Sequence, residues 1–199
     1  MTGMTGDAPA AGPAPAASIA ASTAAGTTVG TAAGAGRPVL GDGGVAVEDA
    51  AVAVAGLVAE LQQGLDDRDA GVYNRHFAAD VLWGSPFGMT VEGYEPLHAI
   101  HERLNAEQRG GTASRYEVAT ILSPAPDVIV TQVRRVALGP DGEPEPARAP
   151  GADPARPFSE MAMYVLVRRD GQWWLAAGQN TLIQPVPFTT GQAASPRPG

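Results

Sequence analysis

The stretch that decides the fold is Phe158-Ser-Glu160-Met-Ala-Met163-Tyr-Val-Leu-Val-Arg-Arg-Asp170-Gly171-Gln-Trp173-Trp-Leu175-Ala-Ala-Gly178-Gln-Asn180-Thr-Leu-Ile183. Two runs rich in Val, Ile, Tyr and Trp flank Asp170-Gly171, a pair that favours the positive φ of a two-residue hairpin turn. They read as strands over 158–169 and 172–183. Working back toward the N-terminus, 114–122 and 128–138 carry the same strand composition. Between 128–138 and the final hairpin, Gly139 to Pro157 holds six Pro and three Gly in 19 residues, which predicts a flexible hairpin loop.

Upstream the period changes. Val54, Leu57, Val58, Leu61 and Leu65 recur at spacings of three and four, so a helix is predicted from about Glu48 to Asp67. A short helix follows over 72–78, then a strand at 80–83, a turn at Gly84, Pro86 and Gly88, and a short returning strand at 89–91. A third helix runs from Tyr94 to Glu107, with Tyr94, Leu97, His101 and Leu104 inside one arc of about 80°. Helices first and antiparallel strands after predict an α+β fold, with three helices covering one face of a curved antiparallel sheet. Such a sheet can enclose an apolar pocket.

The chain has 199 residues, 13 Arg and no Lys, 21 acidic residues, three His and no Cys, with a net charge of -8. Residues 1–44 hold 13 Ala, 10 Gly, six Thr, four Pro and two Ser, a composition too poor in large apolar side chains to offset its ordering entropy. The predicted organisation is a disordered arm over 1–44, a domain over 45–183 and a flexible tail over 184–199. Without Cys there is no disulfide frame, Cys-ligated metal or thiol nucleophile; without Lys there is no Schiff base or P-loop lysine. The acidic balance argues against a nucleic-acid partner, and no run of 18 apolar residues exists to span a membrane. No signal peptide is read at the N-terminus, so the expected compartment is the cytoplasm.

The run Phe77-Ala-Ala-Asp80-Val-Leu-Trp83-Gly-Ser-Pro86-Phe-Gly88, followed by Val91-Glu-Gly93-Tyr94 before a helix carrying His101, resembles the SnoaL-like branch of the nuclear transport factor 2-like superfamily. The Arg-Asp-Gly-x-Trp ending at 169–173 is similar to that of SgcJ/EcaC-type proteins, a subgroup that carries an oxidoreductase label. The resemblance covers about 48–183 apart from the loop. It implies a cone-shaped α+β barrel with a hydrophobic pocket, often dimeric through the outer sheet face, and a polyketide- or steroid-like carbonyl compound as substrate. This fold hosts isomerases, cyclases, dehydratases and non-catalytic binders, so function has to come from the site.

His101 is the leading catalytic candidate: an imidazole in an apolar helix arc needs a partner, and its ordinary pKa suits proton transfer. The resemblance implies a histidine at this place in the helix. Its bland alternative is a structural histidine bonded to a buried group. His76 and Tyr73 reach toward the same pocket if the second helix closes the cone, or His76 sits half exposed at a helix end. Alternation puts Glu160, Ala162, Tyr164 and Leu166 on one strand face and Met161, Met163, Val165 and Val167 on the other. If the Glu160 face is the inner one, the carboxylate can serve as a base; if the outer, it pairs with an Arg or faces water.

Gln132 and Asn180, polar residues in apolar strands, are candidate donors to a ligand carbonyl. Trp83, Phe87, Met163 and Trp173 are candidate pocket walls. His98 and His101 form an i, i+3 pair without a third ligand at a recognisable spacing, so no metal is expected. No glycine-rich nucleotide motif occurs, and no cofactor is expected. Two readings follow: an acid–base enzyme with His101 as proton carrier and Glu160 or His76 as its partner, or a non-catalytic dimer that binds a hydrophobic ligand or a protein. Convergence of two ionisable side chains in the pocket would favour the first.

Overall fold

The computed structural model describes residues 38–106, 113–148 and 157–185. Helix α1 spans Val47–Asp66, with Glu48 and Asp49 in its first turn, where acidic side chains suit the helix dipole. Its buried stripe is Ala50, Val54, Leu57 and Leu61. Gly64 extends that stripe because a Cβ there would lie 2.4 Å from the Tyr73 amide nitrogen. That close approach brings in α2, Ala70–Tyr73, capped by Asp69, whose Oδ1 accepts from the Gly71 and Val72 N–H groups. The second helix is thus shorter than predicted and stops before His76, which lies in the turn leading to β1.

Strand β1 spans Phe77–Gly84, β2 Thr90–Glu92, and α3 Tyr94–Ala106. The remaining strands are β3 Ser114–Ala125, β4 Val128–Ala137, β5 Glu160–Arg169 and β6 Gln172–Leu182. They form one sheet in the order β2-β1-β6-β5-β4-β3. Four of the five pairs are antiparallel; β1 lies parallel to β6. The hairpin joining β5 to β6 turns at Asp170 (φ 52°) and Gly171 (φ 78°), as the Asp-Gly pair predicts.

Helices α1 and α3 cover the inner sheet face, where Ile129, Val133, Ala162, Tyr164 and Leu166 are buried together with Leu97. Phe77, Trp83 and Tyr164 form a stack through this layer, with ring centroids 5.6 and 6.0 Å apart. Trp83 and Tyr164 both pair with Gly178 in register. A Cβ at Gly178 would meet Trp83 ring carbons at 2.8 Å, so this glycine is what lets the indole lie across β6.

All described residues belong to one compact unit beginning at Pro38. Its first residues include a 3-10 turn at Gly41–Gly43, and the Val45 N–H donates to Ser123 Oγ at 2.8 Å. After β4, Glu145 N–H returns to the Ala137 carbonyl at 2.8 Å, so 139–148 curls back on the strand end. The expectations for 1–37, 107–112, 149–156 and 186–199 fall outside the described residues. Among the described residues, no helix is long and apolar enough to cross a membrane.

Candidate functional site

The site is built around α3. Leu97 anchors the helix in the core, and one turn later His101 enters an aromatic wall. Its ring meets Tyr73 at 5.0 Å, Trp83 at 5.7 Å and Phe77 at 6.3 Å between centroids, edge-on in each case. Leu104, in the last turn, is 40% exposed.

A fully buried amide orients the imidazole. His101 Nδ1 lies 2.8 Å from Asn74 Oδ1, and Asn74 Nδ2 lies 3.0 Å from His98 Nδ1. An amide oxygen only accepts and an amide nitrogen only donates, so His101 carries its proton on Nδ1 and keeps the Nε2 lone pair free. His98 Nδ1 accepts instead, which puts its proton on Nε2, 3.5 Å from Glu102 Oε1. Burial, with a smaller contribution from His98, lowers the His101 pKa from 6.5 to about 4. At neutral pH the ring is therefore an uncharged acceptor with a fixed tautomer. The i, i+3 histidine pair is bridged by the Asn74 amide, and among the described residues no three His, Cys, Asp or Glu gather as metal ligands.

Tyr73 also joins His101 to a polar cluster on the sheet. Its hydroxyl lies 2.9 Å from that of Tyr116, and burial raises the pKa of both, so both stay protonated. Tyr116 pairs in register with Arg135, and Arg135 with Glu160. Arg135 Nε donates to Glu160 Oε1 at 2.8 Å and Nη1 to Ser114 Oγ at 3.3 Å. Burial opposes the guanidinium charge most strongly, but Glu160, Tyr116 and Tyr73 together outweigh it and the Arg135 pKa is raised. Arg135 also sits over the Phe158 ring at 5.2 Å.

The inner face is therefore the Glu160 face, the choice that alternation left open. His101, Tyr73, Tyr116, Arg135 and Glu160 are all half-buried, at the sheet end where β3 and β5 begin and β4 ends.

Several sequence-predicted residues lie elsewhere. His76 is not a partner of His101: its Nδ1 lies 2.5 Å from Glu60 Oε2 and its ring meets Trp174 at 5.8 Å, because α2 ends too early to aim it inward. Met163 is 47% exposed on the outer face, the consequence of Glu160 facing in. Gln132 pairs with Met163 on that outer face and accepts from Thr120 Oγ1 at 3.2 Å, so it donates to no inner ligand. Asn180 faces in but is buried, its Nδ2 donating to the Gly84 carbonyl at 3.0 Å. Trp173 lies at the opposite sheet end, against Arg168. Phe87 is 64% exposed in the β1–β2 turn, edge-on to Phe158 at 5.4 Å, so it belongs to a rim.

Asn74, Tyr116 and Arg135 escaped the sequence reading. Arg135 carried a signal, since it continues the inward alternation Thr131, Val133; Asn74 carried none.

Neither of two surface clefts among the described residues is lined by His101. One, of about 170 Å³, lies between α1 and the sheet near His76 and Trp173. The other, about 740 Å³, is a groove beside β1 lined by Asp80, Tyr94 and Trp174 among others, with Asp80 exposed.

A six-stranded curved sheet covered on its inner face by helices is the nuclear transport factor 2-like, or cystatin-like, fold. Solved structures share it. A domain of unknown function with a cystatin-like fold from Nostoc punctiforme aligns over 71% of this chain and 82% of its own, at TM-score 0.60 and 14% identity. Aln2 from a Streptomyces species aligns over 69% and 94%, at TM-score 0.53 and 16% identity. An NTF-2 like protein of unknown function from Shewanella oneidensis aligns over 66% and 98%, at TM-score 0.52 and 8% identity. No protein-family profile and no curated protein matches the sequence. At such identities the likeness defines the fold alone.

Proposed function

We propose that this chain is a small-molecule enzyme that performs cofactor-independent acid–base chemistry on a hydrophobic carbonyl compound, of polyketide or steroid type, at the His101 end of the sheet. The observation that carries this reading is the clamp of Asn74 on His101: one imidazole nitrogen is held, the other is a lone pair, and burial keeps the ring neutral. Beside it stand two protonated phenols, Tyr73 and Tyr116.

In this reading His101 Nε2 takes a proton from the carbon next to the substrate carbonyl. The C–H electron pair moves to the carbonyl oxygen, which receives hydrogen bonds from the tyrosine hydroxyls. The imidazolium, a strong acid at this pKa, then returns the proton to carbon, so an isomerisation or ring closure needs no external reactant. A base with a pKa near 4 is adequate where buried donors stabilise the enolate oxygen. The Arg135–Glu160 pair lies beside the hydroxyls and holds the Tyr116 end of the site.

The test is deuterium incorporation from D2O into a panel of hydrophobic cyclic ketones, read by mass spectrometry. Wild type should exchange, His101→Gln should fall to background, and Tyr116→Phe should lose about 10²–10³-fold, the usual cost of one such donor. No exchange with ketones that nonetheless bind would refute the catalytic reading. It would favour a non-catalytic domain binding a hydrophobic ligand or partner. That second reading draws on one observation: the Tyr73 and Tyr116 hydroxyls bond each other, and Arg135 is bonded to Glu160. The proposal includes a cytoplasmic homodimer joined through the outer sheet face; its support is the exposure there of Leu122 (45%) and Met163 (47%).

A further inference from the structure

The cleft between α1 and the sheet combines three features that the His101 site does not use. Its walls are apolar, chiefly Ala53, Leu57, Leu166, Leu175 and Trp173. Its polar part is a carboxylate–imidazole pair: Glu60 Oε2 holds His76 Nδ1, while Glu60 Oε1 faces Arg75 Nη1 at 3.6 Å. Among the described residues none bonds to His76 Nε2, which leaves that nitrogen for a ligand.

The third feature is Gly56. It lies in the middle of α1 and lines the cleft, and a Cβ built on it would meet nothing within 4 Å. Glycine disfavours a helix interior. Gly64 in the same helix answers a steric demand from Tyr73, whereas at Gly56 packing makes no such demand. What the missing side chain leaves is the open side of the cleft.

We propose that this cleft is a second binding site, for a one-ring aromatic alcohol of the phenol class. The size fits: about 170 Å³ is close to an apolar cavity of roughly 150 Å³ that accepts benzene. Trp173, Val52 and Ala53 take the ring, and the hydroxyl hydrogen-bonds to His76 Nε2, whose tautomer and orientation are set by Glu60.

Titration of the full chain with phenol, and with toluene as the ring without a hydroxyl, tests this by NMR on the tryptophan indole and histidine resonances. Phenol should shift Trp173 and His76 saturably and bind about tenfold more tightly than toluene. His76→Gln should remove that advantage and spare toluene binding. Gly56→Leu, which favours the helix and fills the opening, should abolish both while circular dichroism stays native. His101→Gln should change neither, which separates this site from the one above. Phenol binding that is unsaturable, no tighter than toluene, or unchanged in Gly56→Leu would overturn the assignment.

Discussion

Replacing His101 by Phe removes one titration from an aromatic wall that already holds Tyr73, Phe77 and Trp83, and so isolates what burial of the imidazole does to stability. The folded pKa is lowered from 6.5 to about 4, chiefly by desolvation. The unfolded chain therefore takes up the proton first as pH falls. Stability from this residue is intact above about pH 6.5 and is lost progressively toward pH 4, by about 3 kcal/mol in all. His101→Phe also strips Asn74 Oδ1 of its donor, an offset of about 1–3 kcal/mol that does not vary with pH. Urea unfolding of both proteins at pH 7.5, 6.0, 5.0 and 4.0 separates the two effects. Relative to the variant's, the wild-type curve should descend by about 3 kcal/mol between pH 7.5 and 4.0. Parallel curves would mean that His101 takes up its proton freely in the folded state, and the neutral, oriented imidazole would be refuted.

The ion pair on the inner face gives a second test. Arg135→Met should cost about 3–5 kcal/mol because Glu160, with a side chain only 13% exposed, loses its partner. Adding Glu160→Gln should recover much of it, read from urea midpoints. Gly178→Ala should cost about 1–3 kcal/mol through the clash with Trp83, and a neutral result would show that the indole is not held there. Within α1, Gly56→Ala should stabilise by about 1 kcal/mol, while Gly64→Ala should destabilise because its Cβ meets the Tyr73 backbone; thermal melts compare them. Leu122→Glu with Met163→Glu should convert a dimer to a monomer by light scattering without changing circular dichroism. A wild type that is monomeric at all concentrations rejects the dimer.

Local pattern made most of the architecture legible. The three-and-four spacing of Val54, Leu57 and Leu61 marked α1, and the Asp170-Gly171 turn fixed the last hairpin and its register. Alternation correctly grouped Glu160 with Tyr164 and Leu166. The second helix was overextended because Asp69 caps a single turn at 70–73, and the chain is already in β1 at Phe77. The candidate site was only partly visible: His101 stood out as a polar residue in an apolar arc, but Met163 and Gln132, offered as pocket wall and carbonyl donor with the inner face left open, lie on the outer face.

By itself, then, the sequence determined the elements, their order and which side chains share a face, because those follow from the backbone geometry of neighbouring residues. It could not determine the sign of each face: parity says that Glu160 and Met163 oppose, and only packing against α1 and α3 says which is buried. Nor could it pair His101 with Asn74, 27 positions away, or lay β1 parallel to β6 across about 90 residues of chain. Those contacts are chosen by the burial of the whole apolar surface at once, a quantity that no local window contains.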